Sequence, residues 1–402
     1  MANSLTPLSP TYWSKIMGIK LYKKNVFRNI ASFKEEAVLT NGQKVDRPYR
    51  ADVYVQPYVK GTALTAQDIT ATSDQLTVDK IFAALIYVDD VDKIQNKWDA
   101  ASAWSEEVIT RLSNQIDADC LYLATSANDT VDYNDLDSAQ TAGVPIVLTT
   151  SNVLNLFTVT SRKLSVNNVS GDNRFFVISP QVKQVLLTYL AGRESILGDR
   201  TGEAGHIGRY MGFDLYESNN LTARIRWTPT DNPSNAETLI INGTTITFET
   251  TPATVTSGFA VDIGADTETT LDSLTTMINT PTTDSATVGK PATGSYLAAI
   301  QRGWFAVDGD TYIDIYIKGA STIATTTGTA QGTTSRYTQI NLAGEKGSID
   351  LVIQKEPSVK MASTVSAGKD GMNILPKTLY AAGVFYDMKA RILAVEVDSS
   401  TI

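Results

Sequence analysis

The chain has 402 residues, with 34 basic and 43 acidic side chains and a formal net charge of −9. That length is enough for two or three domains with buried cores, so neither disulfides nor metal ions are needed to hold the fold. The single cysteine, Cys120, excludes an internal disulfide and indicates a reducing compartment. There is no apolar core of a signal peptide and no run of about eighteen apolar residues. We therefore expect no membrane partner, and synthesis and use inside a cell.

The charge is distributed unevenly along the chain. Residues 1–48 carry eight basic and three acidic residues, a net charge of +5. Residues 228–335 carry three basic and eleven acidic residues, a net charge of −8. Outside residues 228–335 the chain as a whole is close to neutral, with 31 basic and 32 acidic residues. The sequence therefore predicts a basic arm, a body and an acidic module.

The basic arm contains apolar side chains without a period long enough to close a core, so alone it would be loosely ordered. Its own body or a neighbouring subunit has to hold it, and we favour the neighbour. Residues 49–60 and 76–88 alternate apolar and polar side chains, which is typical of strands. The polar link between them makes a long two-stranded loop, and an isolated hairpin of this kind is marginal in water. A partner surface is again the natural support.

Residues 88–124 form the longest helical pattern in the chain, without Gly or Pro. Acidic residues at positions 89, 90 and 92 cap its start and oppose the positive end of the helix dipole. Asp117 and Asp119 near its end oppose the dipole instead and need other partners. Such a helix is roughly 50 Å long, more than an ordinary domain of this size needs. A plain long core helix is the alternative interpretation.

The next part of the chain has an α/β pattern. Residues 150–159 predict a helix, and the apolar run at 174–178 predicts a buried strand. Ser179 and Pro180 then have the cap and first-position residues of a further helix. Residues 198–212 contain five glycines and predict a loop, and residues 213–217 predict a short strand.

Composition changes abruptly near Trp227, because 28 of the 108 residues from 228 to 335 are threonine. Asn-Gly and Asp-Gly turns predict hairpins at 239–248 and 304–317. Thr269 and Asp272 have capping-box spacing ahead of a short helix. The pattern indicates an inserted, mostly β domain. After it the body resumes, and strands are predicted at 348–354, 379–386 and 390–397.

No catalytic, cofactor or metal-binding pattern emerges from the sequence. His206 is the only histidine, it lies in the glycine-rich loop, and no G-x-S-x-G elbow occurs. One Cys and one His exclude a Cys/His zinc site. Asp308, Asp310 and Asp314 do not have the spacing of a calcium loop. The glycines at 202–208 lack the Lys-Ser/Thr of a phosphate loop. We therefore predict no enzyme.

Four stretches in this order resemble the major capsid protein of tailed double-stranded DNA bacteriophages, a fold shared with encapsulin shells. They are LTVDKIFAALIYVDDVDKIQNKWD at 76–99, LSNQIDADCLYLA at 112–124, NRFFVISPQVKQVLL at 173–187 and GHIGRYMGFDLYESNNL at 205–221. The resemblance covers residues 50–225, and residues 348–397 fit it more loosely. Residues 228–335 are not part of it.

The resemblance implies an α+β capsid fold. Its expected parts are an N-terminal arm at 1–48, an extended loop at 49–88, a peripheral domain with the spine helix at 89–144, the first part of an axial domain at 145–226, an inserted β-rich domain at 227–336, and the completion of the axial and peripheral domains at 337–402. The arm, the unsupported hairpin and the overlong helix then share one cause, since contacts in a closed shell are obligate and large.

The same resemblance implies a structural protein of the virion that assembles in the host cytoplasm into pentamers and hexamers of an icosahedral shell around the phage genome. Scaffold and portal proteins are expected partners. The basic arm either makes weak, salt-dependent contact with packaged DNA or pairs with neighbouring subunits. We expect the inserted domain to face outward, where a decoration protein or another surface partner can bind it. We expect that removal of residues 1–30 abolishes closed shells and leaves the body folded.

Aromatic and cationic side chains on the predicted arm, loop, helix and glycine-rich segment are the candidates for assembly contacts: Trp13, Tyr54, Tyr58, Lys60, Trp98, Trp104, Arg111, Arg193 and Arg200. An encapsulin-like nanocompartment shell that carries enzyme cargo is the alternative function. An enzyme with a β-rich accessory domain is a third, and the single histidine argues against most hydrolase chemistry.

Overall fold

The computed structural model describes residues 23, 25–39, 42–50, 53–67, 71–91, 100–191, 208–252, 259–320, 323, 325–326, 328–366 and 369–399. Within these residues the α-helices are α1 (Phe27–Ile30), α2 (Ala100–Tyr122), α3 (Tyr133–Leu136), α4 (Val153–Val166), α5 (Pro180–Ala191), α6 (Thr267–Asn279) and α7 (Gly294–Gly303). Short 3-10 turns cover Lys34–Glu36, Leu123–Ser126 and Tyr386–Arg391.

The strands are β1 (Ala31–Ser32), β2 (Lys44–Arg50), β3 (Ala71–Thr77), β4 (Lys80–Ala83), β5 (Ile86–Asp89), β6 (Asp129–Val131), β7 (Arg174–Ile178), β8 (Arg209–Tyr210), β9 (Phe213–Glu217), β10 (Thr222–Pro229), β11 (Thr238–Ile241), β12 (Thr244–Glu249), β13 (Phe259–Asp262), β14 (Gly289–Lys290), β15 (Trp304–Asp308), β16 (Ile313–Ile317), β17 (Thr325–Thr326), β18 (Gly332–Glu345), β19 (Ile349–Ser366), β20 (Lys369–Gly383) and β21 (Ile392–Asp398). Helices and sheets are both extensive, so the α+β class is confirmed.

The largest sheet has the strand order β15-β16-β10-β18-β7-β9-β8, and β21 pairs with both β18 and β6. Its interior strand β7 is buried at all five residues, as the apolar run predicted. Helices α4 and α5 cover one face of this sheet through a cluster that includes Phe157, Phe176 and Phe213. Their rings lie 5.3 to 6.5 Å apart, in the edge-on and tilted arrangements that aromatic pairs prefer.

A second sheet is built on the long antiparallel hairpin of β19 and β20. Strand β1 pairs with β19, while β4 and β5 pair with β20. The long helix α2 packs on this sheet, where Ile116 and Cys120 meet Leu351 and Tyr380. The sequence predicted only the parts of this hairpin farthest from its turn, as separate strands at 348–354 and 379–386. Nearer the turn, polar and charged residues interrupt the apolar pattern.

The inserted segment, residues 227–336, has its own sheet of order β14-β13-β12-β11-β17 around an apolar core. The predicted hairpin at 239–248 is confirmed as β11 and β12, with Asn242 and Gly243 at φ 48° and 76°. The hairpin at 304–317 is confirmed as β15 and β16. The short helix is confirmed as α6, but its cap is Asp266, which forms a capping box with Thr269. Thr269 was wrong as the predicted N-cap, because the Asp266 side chain caps the helix three residues earlier.

The inserted segment is continuous with the body. The predicted boundary at residue 227 falls inside β10, and β15 and β16 extend the largest sheet beside β10. An ion pair crosses the same boundary, where the Arg226 guanidinium on β10 binds the Asp314 carboxylate on β16 with N–O distances of 2.7 and 2.6 Å. The division of the chain into six parts remains a prediction.

The predicted support of the arm was wrong for residues 26–39. Val26, Phe27 and Ile30 are 1%, 4% and 1% exposed. Val26 and Ile30 pack against α2 and the largest sheet, and Phe27 packs against α2 and the second sheet of the same chain. Leu39 is also buried, against Leu76 and Val352. The scattered apolar residues of this segment have no period of their own because they fill gaps in a core that the body builds.

The predicted strands of the extended loop were misplaced. Strands β2 and β3 pair in antiparallel register from Lys44–Thr77 to Arg50–Ala71, whereas residues 53–59 have no strand partner among the described residues. Residues 76–88 are divided among β3, β4 and β5. The long helix does not begin at Val88, because Val88 and Asp89 pair with Met372 and Gly371 in β5. Residues 92–99 of the predicted helix lie outside the described residues.

Candidate assembly surfaces

Two buried carboxylates on the last turns of α2 join it to the rest of the molecule. Asp117 is fully buried and Asp119 is 2% exposed. Residues two apart in a helix do not face the same way, so the two carboxylates meet different elements. Both lie where the helix dipole disfavours negative charge, which makes outside donors necessary.

Asp117 binds the N-terminal segment and the loop after β9. Its Oδ1 accepts hydrogen bonds from the backbone N–H groups of Val26 and Phe27, each at 2.9 Å. These N–H groups belong to the start of α1 and have no partner within that helix. Its Oδ2 accepts from Asn220 Nδ2 at 2.7 Å and from Ser218 Oγ at 3.4 Å. Burial raises the pKa of Asp117, and the four hydrogen bonds oppose that rise.

Asp119 joins α2 to the inserted segment and to the second sheet. Its Oδ1 accepts from Lys318 Nζ at 2.8 Å, and that ammonium also lies 4.4 Å from the centre of the Tyr122 ring. Its Oδ2 accepts from the hydroxyl of Tyr380 on β20. Burial and the neighbouring Asp119 charge raise the pKa of Tyr380, which keeps its hydroxyl a donor at physiological pH. The expectation that both carboxylates have partners beyond their own helix is confirmed.

The ribbon of β2 and β3 ends in a projecting loop tip, residues 53–67. A side-chain clamp holds its two sides together: Tyr54 N donates to Gln67 Oε1 at 3.3 Å, and Gln67 Nε2 donates to Tyr54 O at 2.5 Å. Gln56 Nε2 adds a hydrogen bond of 3.2 Å to Thr65 O. The loop tip therefore keeps a defined path without a strand ladder.

The base of the ribbon is fixed to the body by charge and ring contacts. Arg47 pairs with Asp387 at 3.0 Å, and its guanidinium lies 4.9 Å from the centre of the Phe385 ring. Tyr49 stacks on Tyr386 at 5.4 Å between ring centres. These contacts set the direction in which the ribbon leaves the body.

The loop tip is apolar and exposed. Val55 is 96% exposed, and five more of its large apolar side chains are at least half exposed: Val53, Tyr54, Tyr58, Val59 and Leu64. Contiguous exposed apolar surface on a soluble chain marks a contact site for another molecule. No described residue of the chain covers this surface.

The candidate residues predicted from the sequence do not form one site. Tyr54, Tyr58 and Lys60 are exposed on the loop tip. Arg111 is on α2, where its guanidinium pairs with Glu107 at 2.6 Å in the expected i,i+4 order. Trp13, Trp98, Arg193 and Arg200 lie outside the described residues, and only the backbone of Trp104 is described, within α2. Their assembly roles remain predictions.

The sequence did not indicate the partners of the two α2 carboxylates. Asn220, Lys318 and Tyr380 come from segments about 100 to 260 residues away along the chain. The only signal in the sequence was the pair of acidic residues at a helix C-terminus, which indicates a need for donors but not which residues provide them.

Two of the three aspartates at positions 308, 310 and 314 accept hydrogen bonds within the chain. Asp314 is buried and accepts two hydrogen bonds from the Arg226 guanidinium, at 2.7 and 2.6 Å. Asp308 Oδ1 accepts from Asp310 N at 3.0 Å inside the hairpin turn. In the described part of the chain, no three His, Cys, Asp or Glu side chains come together as metal ligands. His206 lies outside the described residues.

None of the helices in the described ranges combines the length and apolar character needed to cross a bilayer. A scan against protein-family models gave no match, and a search of curated proteins gave none either.

Solved structures give matches across the whole chain. A protein of Mycobacterium phage Che8 is 15% identical, with a TM-score of 0.55 over 96% of each chain. The capsid structure of cyanophage P-SCSP1u contains a chain 13% identical, with a TM-score of 0.53 over 100% of this chain and 96% of that one. The cyanophage Pam1 capsid asymmetric unit contains a chain 9% identical, with a TM-score of 0.52 over 99% and 98%.

The chain has the phage capsid fold. The match extends over nearly the full length of both chains, so it includes the inserted segment and the ribbon as well as the central sheet. At these identities the likeness shows the fold and not the residues that make contacts.

Proposed function

We propose that the chain is the major capsid protein of a tailed double-stranded DNA phage. Its copies assemble as pentamers and hexamers of an icosahedral shell that encloses the genome, and the assembled protein is part of the virion. The observation that carries this proposal is the end-to-end match to chains of two phage capsid structures. The protein acts by assembly, and the proposal assigns it no catalysis.

The loop tip supports this function independently of the fold. Six large apolar side chains on residues 53–67 are at least half exposed, and burying such a side chain contributes about 1.5–3 kcal/mol. An isolated chain gains nothing from this surface, whereas a shell buries it at every copy. We therefore assign the loop tip to a contact with a neighbouring subunit.

Partners other than the chain itself follow from the same proposal. Scaffold and portal proteins direct where and how the shell closes, and assembly takes place in the host cytoplasm. The basic arm makes a weak contact with DNA or pairs with neighbouring subunits, and the acidic inserted segment faces outward as a surface for a decoration protein. A map that places residues 228–335 in the lumen would contradict this orientation.

Electron microscopy of the purified full-length protein tests the proposal. Expressed with the scaffold and portal genes of its phage, the chain is expected to form uniform icosahedral particles. Particles that incorporate the portal protein identify a phage capsid, whereas particles filled with a protein cargo identify an encapsulin-like shell. A chain that stays monomeric under these conditions contradicts both.

A matched pair of variants separates the role of the loop tip from a general effect of surface charge. Val55→Asp on the loop tip is expected to stop particle formation. Val166→Asp, at the 73%-exposed end of α4, is expected to leave it unchanged. Equal particle yields from the two variants would show that the loop tip is not a subunit contact.

A further inference from the structure

A pocket lined by cations lies beside α2, where the N-terminal segment meets the inserted segment. Its volume is about 170 Å³, and its charged lining consists of Lys23, Arg111, Arg302 and Lys318. No carboxylate lines it among the described residues. Four like charges around one small space repel one another unless anions lie close by.

Two of the four cations have carboxylate partners outside the pocket. Arg111 pairs with Glu107 at 2.6 Å, and Lys318 pairs with Asp119 at 2.8 Å. Both partner carboxylates are on α2, and neither lines the pocket. They neutralise Arg111 and Lys318 without filling the pocket.

Lys23 and Arg302 are not neutralised in this way. Lys23 Nζ donates to the backbone carbonyls of Asn219 at 3.1 Å and Gly319 at 2.5 Å, which carry no net charge. Arg302 is exposed on α7, and no ion pair to it occurs within the described ranges. Burial and the nearby Arg302 charge lower the pKa of Lys23, and the charge of Asp117 opposes this. The pocket therefore contains positive charge without a direct counterion.

The chain segment next to Lys23 does not provide that counterion. Residues 1–22 contain no Asp or Glu and add two further lysines, Lys15 and Lys20. Exposed carboxylates are plentiful elsewhere, above all on the inserted segment: Asp231, Asp266, Glu268, Asp272, Asp284 and Asp310. None of these pairs with a pocket cation within the described part of the chain.

The size and lining of the pocket favour one carboxylate over a nucleic acid. A duplex presents its phosphates on a convex rod with sugars on both sides, and a recess of about 170 Å³ admits a single side chain more readily. Asn114 Oδ1 is buried at the wall without a hydrogen-bond partner. Because an amide can be turned over with little movement of heavy atoms, Asn114 can present its N–H₂ group to an anion.

We propose that this pocket binds an aspartate or glutamate side chain of a second copy of the chain, which pairs with Arg302 and Lys23. The inference rests on the proposed shell function, since only assembled copies bring another chain to the pocket. The contact would give the shell a charged, geometrically specific junction in addition to the apolar contact of the loop tip.

A cryo-electron microscopy map of the assembled shell is the direct test. The expected result is a carboxylate of a neighbouring copy within about 4 Å of the Arg302 guanidinium or the Lys23 ammonium, the usual range of an ion pair. A pocket filled by solvent, by DNA or by another part of the same chain overturns the inference while leaving the shell function intact. Failure of the wild-type protein to form any shell overturns both.

Matched variants test the energetic role of the pocket. Arg302→Gln is expected to lower the yield of empty shells roughly tenfold at a fixed subunit concentration, because one charge-assisted pair is lost at each copy. Arg162→Gln is the control, because Arg162 is exposed on α4 and makes no ion pair with any described residue, and it is expected to assemble normally. If Arg302→Gln does not fold, Lys23→Gln replaces it. Normal empty shells with reduced DNA packaging would assign the pocket to nucleic acid and contradict the inference.

Discussion

Asp117 shows how one side chain fixes the course of a distant segment. It accepts two backbone hydrogen bonds at the start of α1 and two side-chain hydrogen bonds from the loop after β9. A side chain without an acceptor oxygen at this position would leave buried donors without a partner, and each such donor costs about 1–3 kcal/mol. The N-terminal segment is thus attached to α2 by polar contacts as well as by its buried apolar side chains.

We expect Asp117→Ala to destabilise the chain by about 3 kcal/mol and to release residues near Lys23 and Arg28 for cleavage by trypsin. Urea unfolding of unassembled subunits measures the first effect, and limited proteolysis measures the second. Glu106→Ala, an exposed acidic residue on the same helix, is the control and is expected to change neither. Wild-type stability in Asp117→Ala would show that these hydrogen bonds contribute little.

Asp350 is a second buried carboxylate, and its pairing is incomplete. It is 4% exposed, its Oδ2 has no hydrogen-bond partner among the described residues, and the nearest cation, Arg47, is 3.8 Å away. Burial raises its pKa to about 6, although a hydrogen bond from Ser32 and the charge of Arg47 oppose the rise. The folded chain therefore holds this proton more tightly than the unfolded chain does, and the charged carboxylate destabilises the fold above about pH 6.

We expect Asp350→Asn to raise the free energy of unfolding at pH 7.5 by about 2 kcal/mol relative to wild type. The difference should shrink as the pH falls through 6 towards 4, because the wild-type carboxyl takes up its proton there. Urea unfolding of both chains at pH 5 and pH 7.5 measures it. Asp387→Asn, at the more exposed partner of Arg47, provides the comparison. A stability difference independent of pH would contradict the raised pKa.

At the level of elements, the long helix combines two functions. Its C-terminal half packs on the second sheet and carries the two buried carboxylates, while its exposed residues around Arg111 face away from this core. The apolar spacing of this part of the chain predicted a long helix, and α2 runs for 23 consecutive residues. The prediction succeeded here because these residues favour a helix locally. The start was wrong because β5 takes Val88 and Asp89, a tertiary pairing that no local pattern indicates.

We expect Ala103→Pro to stop assembly while leaving the C-terminal half of α2 packed. Proline removes one helical hydrogen bond and clashes with the preceding turn, at a cost of about 3 kcal/mol. Ala103→Gly keeps the N–H group and costs about 1 kcal/mol, so it is the control. Sedimentation velocity measures assembly, and far-UV circular dichroism measures the remaining fold. Normal shells from the proline variant would show that a straight helix is not required.

The extended loop illustrates the limit of sequence patterns in the other direction. Alternating residues at 53–59 predicted a strand, but the described chain provides no neighbour to pair with them. Side chains from both alternating sets, including Val55 and Tyr58, are exposed instead of pairing in a ladder. A sequence records which residues prefer burial, but it does not record whether the covering surface belongs to the same chain.

At the scale of the whole molecule, the α+β class and most of the central elements could be predicted, because β7, β9, α4, α5 and both insert hairpins depend on contiguous residues. The polar junctions could not, since their partners meet only after the fold has formed. The support of the N-terminal segment was also beyond prediction. Val26, Phe27 and Ile30 fill positions in cores whose other members lie more than 80 residues away.

The structure changes the expected effect of N-terminal truncation. Removal of residues 1–30 deletes three buried apolar side chains that removal of residues 1–22 leaves in place, so the longer truncation should be less stable than the shorter one by on the order of 5 kcal/mol. Thermal unfolding of unassembled subunits measures both changes. Equal stability of the two truncations would mean that α1 does not contribute to the core.

The path of the inserted segment has a consequence for how such a chain can diversify. Pro229 on β10 and Gly332 on β18 are paired neighbours, so the segment leaves and re-enters the body one strand spacing apart, about 5 Å. The ends of a replacement therefore meet without strain, and a longer replacement costs only slightly more closure entropy. A substitute has two conditions to meet. It must bring a strand of its own, because β16 covers the edge of β10 from Ala223 to Trp227. It must also replace the cation that Lys318 gives to buried Asp119 and the Arg302 charge of the proposed junction. A foreign module at 230–331 that meets both conditions can be carried by the same body.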